Sequence, residues 1–175
     1  MNPARLLHQM ISSEGEHNPS APAILAPGKE TLPYRELSHH LKSIALQLTR
    51  LGIRPGDRLA VVLPNSPEMA TAFLAVSAVC TCAPLNPAYR QDEFKFSLQE
   101  LHIKALVTCY GSEAPIRQAA DNLGIPVINL EADARIAGYG SRCSCCSAAP
   151  SKPPNQAVPS LWRSARPPYR PLYPG

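Results

Sequence analysis

The sequence predicts an α/β fold, with alternating helices and mostly parallel strands followed by a disordered C-terminal tail. Three observations carry that reading. From residue 36 onward, segments with apolar residues at helical spacing alternate strictly with short apolar runs bounded by Gly, Pro or Asn. Connections this short argue for right-handed crossovers in a parallel sheet. Residues 56–87 read as a complete strand, helix, strand unit, the repeating brick of such a sheet. Beyond Asp133 neither period survives, and eight prolines fall among residues 134–175. A segment of that composition cannot bury enough surface to offset the entropy of ordering it.

The chain thus divides into an N-terminal helix and connector over residues 1–22, a sheet-forming body over 23–133, and a Pro, Ser, Arg and Cys-rich tail over 134–175. In the first part Leu6, Leu7, Met10 and Ile11 are expected to cover one face of a short helix. Short runs over Ala23 to Leu25 and Thr31 to Leu32 predict a small hairpin turning at Pro27 and Gly28. Leu37, Leu41, Ile44, Ala45, Leu48 and Leu51 then mark the clearest helix, which Gly52 ends. Its other face is polar, so His39 and His40 are expected on a solvated surface rather than at a metal.

The strand that follows Gly56 runs to Pro64, and the next helix has a start that chemistry explains. Ser66 can cap, Pro67 suits the first helical position where no amide hydrogen is needed, and Glu68 meets the positive end of the helix dipole. From Glu68 to Val79 the apolar content predicts a largely buried helix. A second strand is expected at 81–85, then a helix over 91–101 with Phe94, Leu98 and Leu101 inward. After it come a strand at 104–109, a helix over 113–123 with Ile116, Ala119, Ala120 and Leu123 inward, and a last strand at 125–130.

Bulk properties narrow the function classes. A folded domain of this length buries roughly 70% of its extended surface. No run approaches the ~18–20 apolar residues of a membrane span, and the N-terminus lacks the pattern of a signal peptide. The chain is therefore read as soluble and cytoplasmic. The net charge of +4 is unevenly spread: residues up to 133 hold 11 Lys and Arg against 13 Asp and Glu, whereas residues 134–175 hold 6 basic and no acidic residues. No uniform basic face for nucleic acid exists in the body. Cys80, Cys82 and Cys109 sit in apolar segments as small hydrophobes, expected to be reduced. Cys143, Cys145 and Cys146 lack a histidine or second pair at ligand spacing, so they make a poor tetrahedral site.

An ordered string of motifs then resembles a known family: 32–37 (Leu-Pro-Tyr-Arg-Glu-Leu), 51–58 (Leu-Gly-Ile-Arg-Pro-Gly-Asp-Arg), 63–68 (Leu-Pro-Asn-Ser-Pro-Glu), 72–75 (Ala-Phe-Leu-Ala) and 84–87 (Pro-Leu-Asn-Pro). Over residues 20–130 the chain resembles the N-terminal subdomain of adenylate-forming (AMP-binding) enzymes. Asn86, Pro87, Tyr89 and Glu93 point to the acyl-CoA synthetase, or acid-thiol ligase, branch acting on small or dicarboxylic acids. The resemblance implies chemistry in which a carboxylate reacts with ATP to an acyl adenylate and a thiol such as coenzyme A displaces AMP. ATP, magnesium and coenzyme A are thus cofactors of the intact family.

Departures from the family pattern matter as much. Pro33 stands where the family commonly has the Thr of a capping box, which implies a loss of roughly 0.5–2 kcal/mol at that helix start. Val79 and Cys80 stand where a Gly-Ala pair often precedes the second strand. No Ser, Thr and Gly-rich loop ending Pro-Lys-Gly is present to cradle phosphates. Gly138, Tyr139, Gly140 and Ser141 are the nearest stretch, without the lysine, the threonines or a following helix. No catalytic, cofactor-binding or metal residue is therefore assigned to this chain, and no cofactor is expected of it alone. The reading is a truncated family member without independent ligase activity, its tail consistent with a change of reading frame or splice junction near residue 134. The alternative is a non-enzymatic interaction module, because Pro168 with Pro171, and Pro171 with Pro174, have the spacing that polyproline-binding domains accept. His102, at a helix end, reads as a partner for the helix dipole. A lone copy of this sheet is expected to self-associate through an exposed sheet or helix face.

Overall fold

A computed structural model of the chain describes residues 6–109, 115–132, 135–138 and 140–146, with backbone only for 131–132 and 140–146. Its elements run α1 (Leu7–His17), β1 (Pro22–Ile24), β2 (Leu32–Pro33), α2 (Tyr34–Arg50), β3 (Arg58–Val62), α3 (Pro67–Ser77), β4 (Thr81–Pro84), α4 (Gln91–Glu100), β5 (Ala105–Cys109), α5 (Pro115–Leu123), β6 (Val127–Ala132) and β7 (Gly140–Cys146). The main sheet has the order β4-β3-β5-β6-β7. Its first four strands are parallel, as the alternation of helix and strand predicts. β1 and β2 form the small antiparallel hairpin.

β7 corrects the expectation that regular structure ends at Asp133. It pairs antiparallel with β6 from Ala132 and Gly140 to Val127 and Cys146. No strand period marks these residues, because what specifies the strand is the unpaired backbone edge of β6 rather than an alternating side-chain pattern. Residues 147–175 lie outside the described residues, and so does the expectation of disorder there.

Two apolar clusters cover the sheet. Leu59, Val61, Val107 and Ile128 face Leu37, Leu41, Ile44 and Leu48 of α2 and Ala72, Ala75 and Val76 of α3. On the opposite face Ala60, Val62, Leu106 and Val127 meet Phe94 and Leu98 of α4 and Ile116, Ala119 and Ala120 of α5. This division of residues along each strand is the period of two that a pleated strand imposes.

Helix ends follow from local chemistry. After α2, Gly52 takes φ 83°, and the amides of Gly52 and Ile53 donate to the carbonyls of Thr49 and Leu48. This double bond pattern is a Schellman motif, and Ile53 and Leu48, both buried, make its apolar contact. α4 ends the same way with a histidine in the left-handed position: His102 has φ 50°, and Ile103 N donates to Leu98 O at 3.1 Å. At the start of α2 the loss of a capping hydroxyl at Pro33 is compensated. Tyr34 N donates to Ala21 O at 3.0 Å and Arg35 N to Pro19 O at 3.2 Å, so the connector's carbonyls satisfy donors of the first turn.

Several burial expectations change. Ile11 and Gly15 form the buried side of α1, while Leu6, Leu7 and Met10 are exposed. Ser38 and His40 are buried, not solvated: Ser38 faces Ser12 and Gly15 of α1, and His40 sits one turn from Leu37 and Ile44 on the flank of the core stripe. α3 is buried on one side only, with Ala70, Phe73 and Ser77 exposed. Leu101 is exposed as well, because α4 ends before it.

Strand β4 leaves one edge of the sheet open. Thr81 N donates to Asp57 O and Leu85 N to Val61 O, so alternation turns Cys82 and Pro84 outward. Pro84 has no amide hydrogen to offer there, which blunts the edge against strand addition. Among the described residues no helix is long and apolar enough to cross a membrane.

Candidate functional site

In open α/β sheets a ligand crevice forms at the carboxyl ends of neighbouring strands whose connections leave toward opposite faces. That place lies between β3 and β5. The chain leaves β3 for α3 on one face and β5 for α5 on the other.

The floor of the crevice is closed. Thr108 is fully buried, and its Oγ1 donates to Val62 O at 2.9 Å, so the hydroxyl of one strand takes the last carbonyl of its neighbour. Such a buried bond contributes about 1 kcal/mol net. Beside it, Arg117 from the first turn of α5 donates through Nη2 to Cys109 O at 2.9 Å and to Asn129 Oδ1. Asn129 is fully buried in β6, and its Nδ2 has no hydrogen-bond partner among the described residues. Thr108, Asn129 and Arg117 therefore form a polar group among apolar neighbours, near the carboxyl end of β5 and beside it in the middle of β6. The signal for it was present as single polar residues inside the apolar runs Ala-Leu-Val-Thr-Cys and Val-Ile-Asn-Leu.

The helix start that borders the crevice is closed to an anion. Pro64 and Pro67 carry no amide hydrogen. Ser66 caps α3, its Oγ accepting from Met69 N at 3.4 Å, so a free donor of the first turn is already used. Glu68 adds a carboxylate, and Lys29 Nζ lies 2.7 Å from its Oε1. Burial works to raise the Glu68 pKa, but hydrogen bonds from Lys29, the helix backbone and Ser66 outweigh it and hold the carboxyl below its usual range. The Lys29–Glu68 ion pair thus occupies this helix start. These residues do not fit a nucleotide phosphate.

Within the stretch 138–141 the structure describes Gly138 and the backbone from Gly140. Gly138 packs against α3, where a Cβ would stand 3.0 Å from Pro67 O, and β7 begins at Gly140. The side chains of Cys143, Cys145 and Cys146, like the paired prolines from Pro168 to Pro174, lie outside what the structure describes. Cys80, Cys82 and Cys109 are half-buried. Burial pushes the thiols of Cys80 and Cys82 up to about 11, which keeps them protonated and unreactive near neutral pH. His39 is exposed, and burial lowers His40 to about 4. Among the described residues no three His, Cys, Asp or Glu side chains come together as a metal site. Ser13 Oγ is 3.5 Å from His17 Nδ1, but that nitrogen lies 2.7 Å from Ser13 O, so the imidazole serves the helix backbone.

At the amino ends of β3 and β5 the charged groups close helix ends. Lys104 Nζ donates to Gly52 O at 2.8 Å and to Asp57 Oδ2 at 2.7 Å, and Arg58 Nη1 donates to Leu101 O. Both cations meet carbonyls at helix C-termini, where positive charge is favourable. The Lys104 hydrogen bond and that from Arg54 N hold the Asp57 carboxyl below its usual range.

Comparison with known proteins agrees with this architecture. The profile of one protein family, described as AMP-binding enzyme, matches residues 12–157. The chain is 36% identical over 121 residues to oxalate–CoA ligase of Arabidopsis thaliana, covering 68% of this chain and 24% of that protein. It is 38% identical over 105 residues to 4-coumarate–CoA ligase 4 of the same plant, covering 57% of this chain and 18% of the relative. Among solved structures, a long-chain-fatty-acid–CoA ligase from Archaeoglobus fulgidus superposes with a TM-score of 0.66 at 24% identity, over 71% of this chain and 27% of that one. The N-terminal domain of FACL13 from Mycobacterium tuberculosis gives 0.60 at 25% identity, over 66% and 30%. The chain spans about a fifth to a quarter of the length of these two ligases from Arabidopsis thaliana.

Proposed function

This chain belongs to the AMP-binding enzyme family, and we propose that its 175 residues act as the sheet scaffold of an acid-thiol ligase without catalysing adenylation by themselves. One observation carries the reading. The helix start at the strand switch point, the place where this fold class offers amides to a phosphate, is occupied by Pro64, Ser66, Pro67 and the Lys29–Glu68 pair.

Within a complete ligase the same sheet would support a nucleotide site built from residues this stretch does not contain. The carboxylate activated there would be small, as the names of the relatives acting on oxalate and 4-coumarate suggest. ATP, magnesium and coenzyme A would be cofactors of that assembly rather than of this chain. Exposed apolar side chains, among them Leu6, Leu7 and Met10, favour self-association of the isolated protein.

Isotope exchange between pyrophosphate and ATP tests the proposal. With a panel of carboxylic acids that includes oxalate and 4-coumarate, the purified chain should give background exchange. Exchange above background with any acid overturns it.

A further inference from the structure

Three short segments meet at the start of α3 and hold one another in place. The hairpin loop is pinned to the helix by Lys29 Nζ, 2.7 Å from Glu68 Oε1, with the two side chains 25% and 10% exposed. The next residue of the loop ties it to a strap, residues 135–138. Glu30 N donates to Arg135 O at 2.8 Å, Ala137 N donates to Glu30 O at 2.9 Å, and Glu30 and Ile136 thus form a parallel bridge. The strap in turn closes on α3, where Gly138 takes φ 69° and packs so tightly against Thr71, Pro67 and Ile24 that no Cβ fits. Glu68 and Thr71 are buried polar residues of α3, at 8% and 2% exposure. Each lies under one side of this triangle, Glu68 against Lys29 and Thr71 against Gly138.

These contacts depend on one another. Beyond them the loop buries little: Leu25 is 66% exposed, and the hydrogen bond within the loop, from Lys29 N to Ala26 O, is long at 3.3 Å. Segments with few buried apolar contacts open locally, at a fraction of the free energy of global unfolding. Ala137, by contrast, is fully buried. A loop that lifted alone would leave the Ala137 amide unpaired, which carries the cost of a buried donor without an acceptor. Loop and strap therefore part from α3 together. We infer that the hairpin loop, the strap and the Lys29–Glu68 pair form a latch that opens as one unit, separately from the sheet, and uncovers Glu68 and Thr71 beside the crevice. The latch decides whether this wall of the crevice presents a closed ion pair or a free carboxylate.

Hydrogen exchange on the full chain, followed amide by amide, tests the latch. In Lys29→Met the amides of Glu30 and Ala137 should exchange faster by the same factor, about tenfold or more, since a hydrogen-bonded charged pair is lost. The amide of Ile53, which donates to Leu48 O at the C-terminal end of α2, should keep its wild-type rate. Lys29→Arg retains the charge and should leave all three near wild type. A thiol placed by Thr71→Cys reports the uncovering: its alkylation, read on that peptide by mass spectrometry, should rise in Lys29→Met by the factor seen at Ala137. Faster exchange at Glu30 with Ala137 unchanged overturns the inference, because the contacts would then open separately. A faster Ile53 amide overturns it too, since the whole fold would be weakened. So does a Lys29→Met variant that leaves Glu30 and Ala137, or the alkylation at position 71, at wild-type rates.

Discussion

Gly138 and Thr71 approach so closely that a Cβ on the glycine would stand 2.6 Å from the threonine Oγ1. Gly138 also has φ 69°, in the left-handed region that a side chain resists. Its neighbours are tied to the N-terminal hairpin: Glu30 N donates to Arg135 O at 2.8 Å, and Ala137 N donates to Glu30 O at 2.9 Å. Residues 135–138 thus bind the hairpin loop to the start of α3.

Gly138→Ala should therefore destabilise the protein by about 3 kcal/mol, combining backbone strain with overpacking. Urea unfolding checks the value. Adding Thr71→Ala should recover the part due to the threonine hydroxyl and leave the part due to φ and to the Pro67 carbonyl.

Stability should fall on mild acidification. Burial lowers His40 from 6.5 to about 4, so the unfolded chain takes up a proton that the folded chain refuses. The stabilisation is complete above pH ~6.5, declines as pH drops toward ~4, and the full loss is about 3 kcal/mol. Glu68, whose carboxyl is held below 4.5 by its hydrogen bonds, adds a further loss only under more acid conditions. Urea midpoints recorded between pH 4.5 and 7 should slope in the wild type and flatten in His40→Gln.

His102 is the one described non-glycine residue with positive φ. At the two equivalent helix ends glycine, Gly52 or Gly124, holds this position. His102→Gly should raise stability by about 1 kcal/mol, since relief of the left-handed strain exceeds the entropy glycine adds to the unfolded chain. A lower thermal midpoint than wild type would contradict this.

Arg117→Met removes the donor shown for Asn129 Oδ1 and Cys109 O. Leaving a buried acceptor unpaired should cost about 2 kcal/mol. Hydrogen exchange should show the loss locally, with amides of β5 and β6 exchanging faster while those of α2 keep their protection.

What could be read from the residues, and what could not, divides along physical lines. Elements set by local chemistry were legible: Ser66 and Pro67 start α3 as their side chains dictate, and Gly52 ends α2. The parallel direction of β3, β4, β5 and β6 followed from helix and strand alternation. Features decided by distant partners were not legible. β7 depends on a backbone edge that β6 offers, and His40 is buried by packing around a helix whose own pattern calls that position polar. The tolerance of Pro33 rests on carbonyls of Pro19 and Ala21. At the crevice, Thr108 and Asn129 were visible as polar residues in apolar runs, but their grouping with Arg117 needed the register of β5 on β6.

The clasp between Glu30 and residues 135–137 has a consequence for biosynthesis. The hairpin loop emerges from the ribosome early, yet the segment that anchors it is made more than a hundred residues later. During that interval Lys29 and Glu68 are already present and able to pair, while the backbone groups of Glu30 wait for their partner. Nascent chains arrested before residue 135 should therefore be open to proteases around residues 27–31, and closure of that region should mark arrival of the clasp.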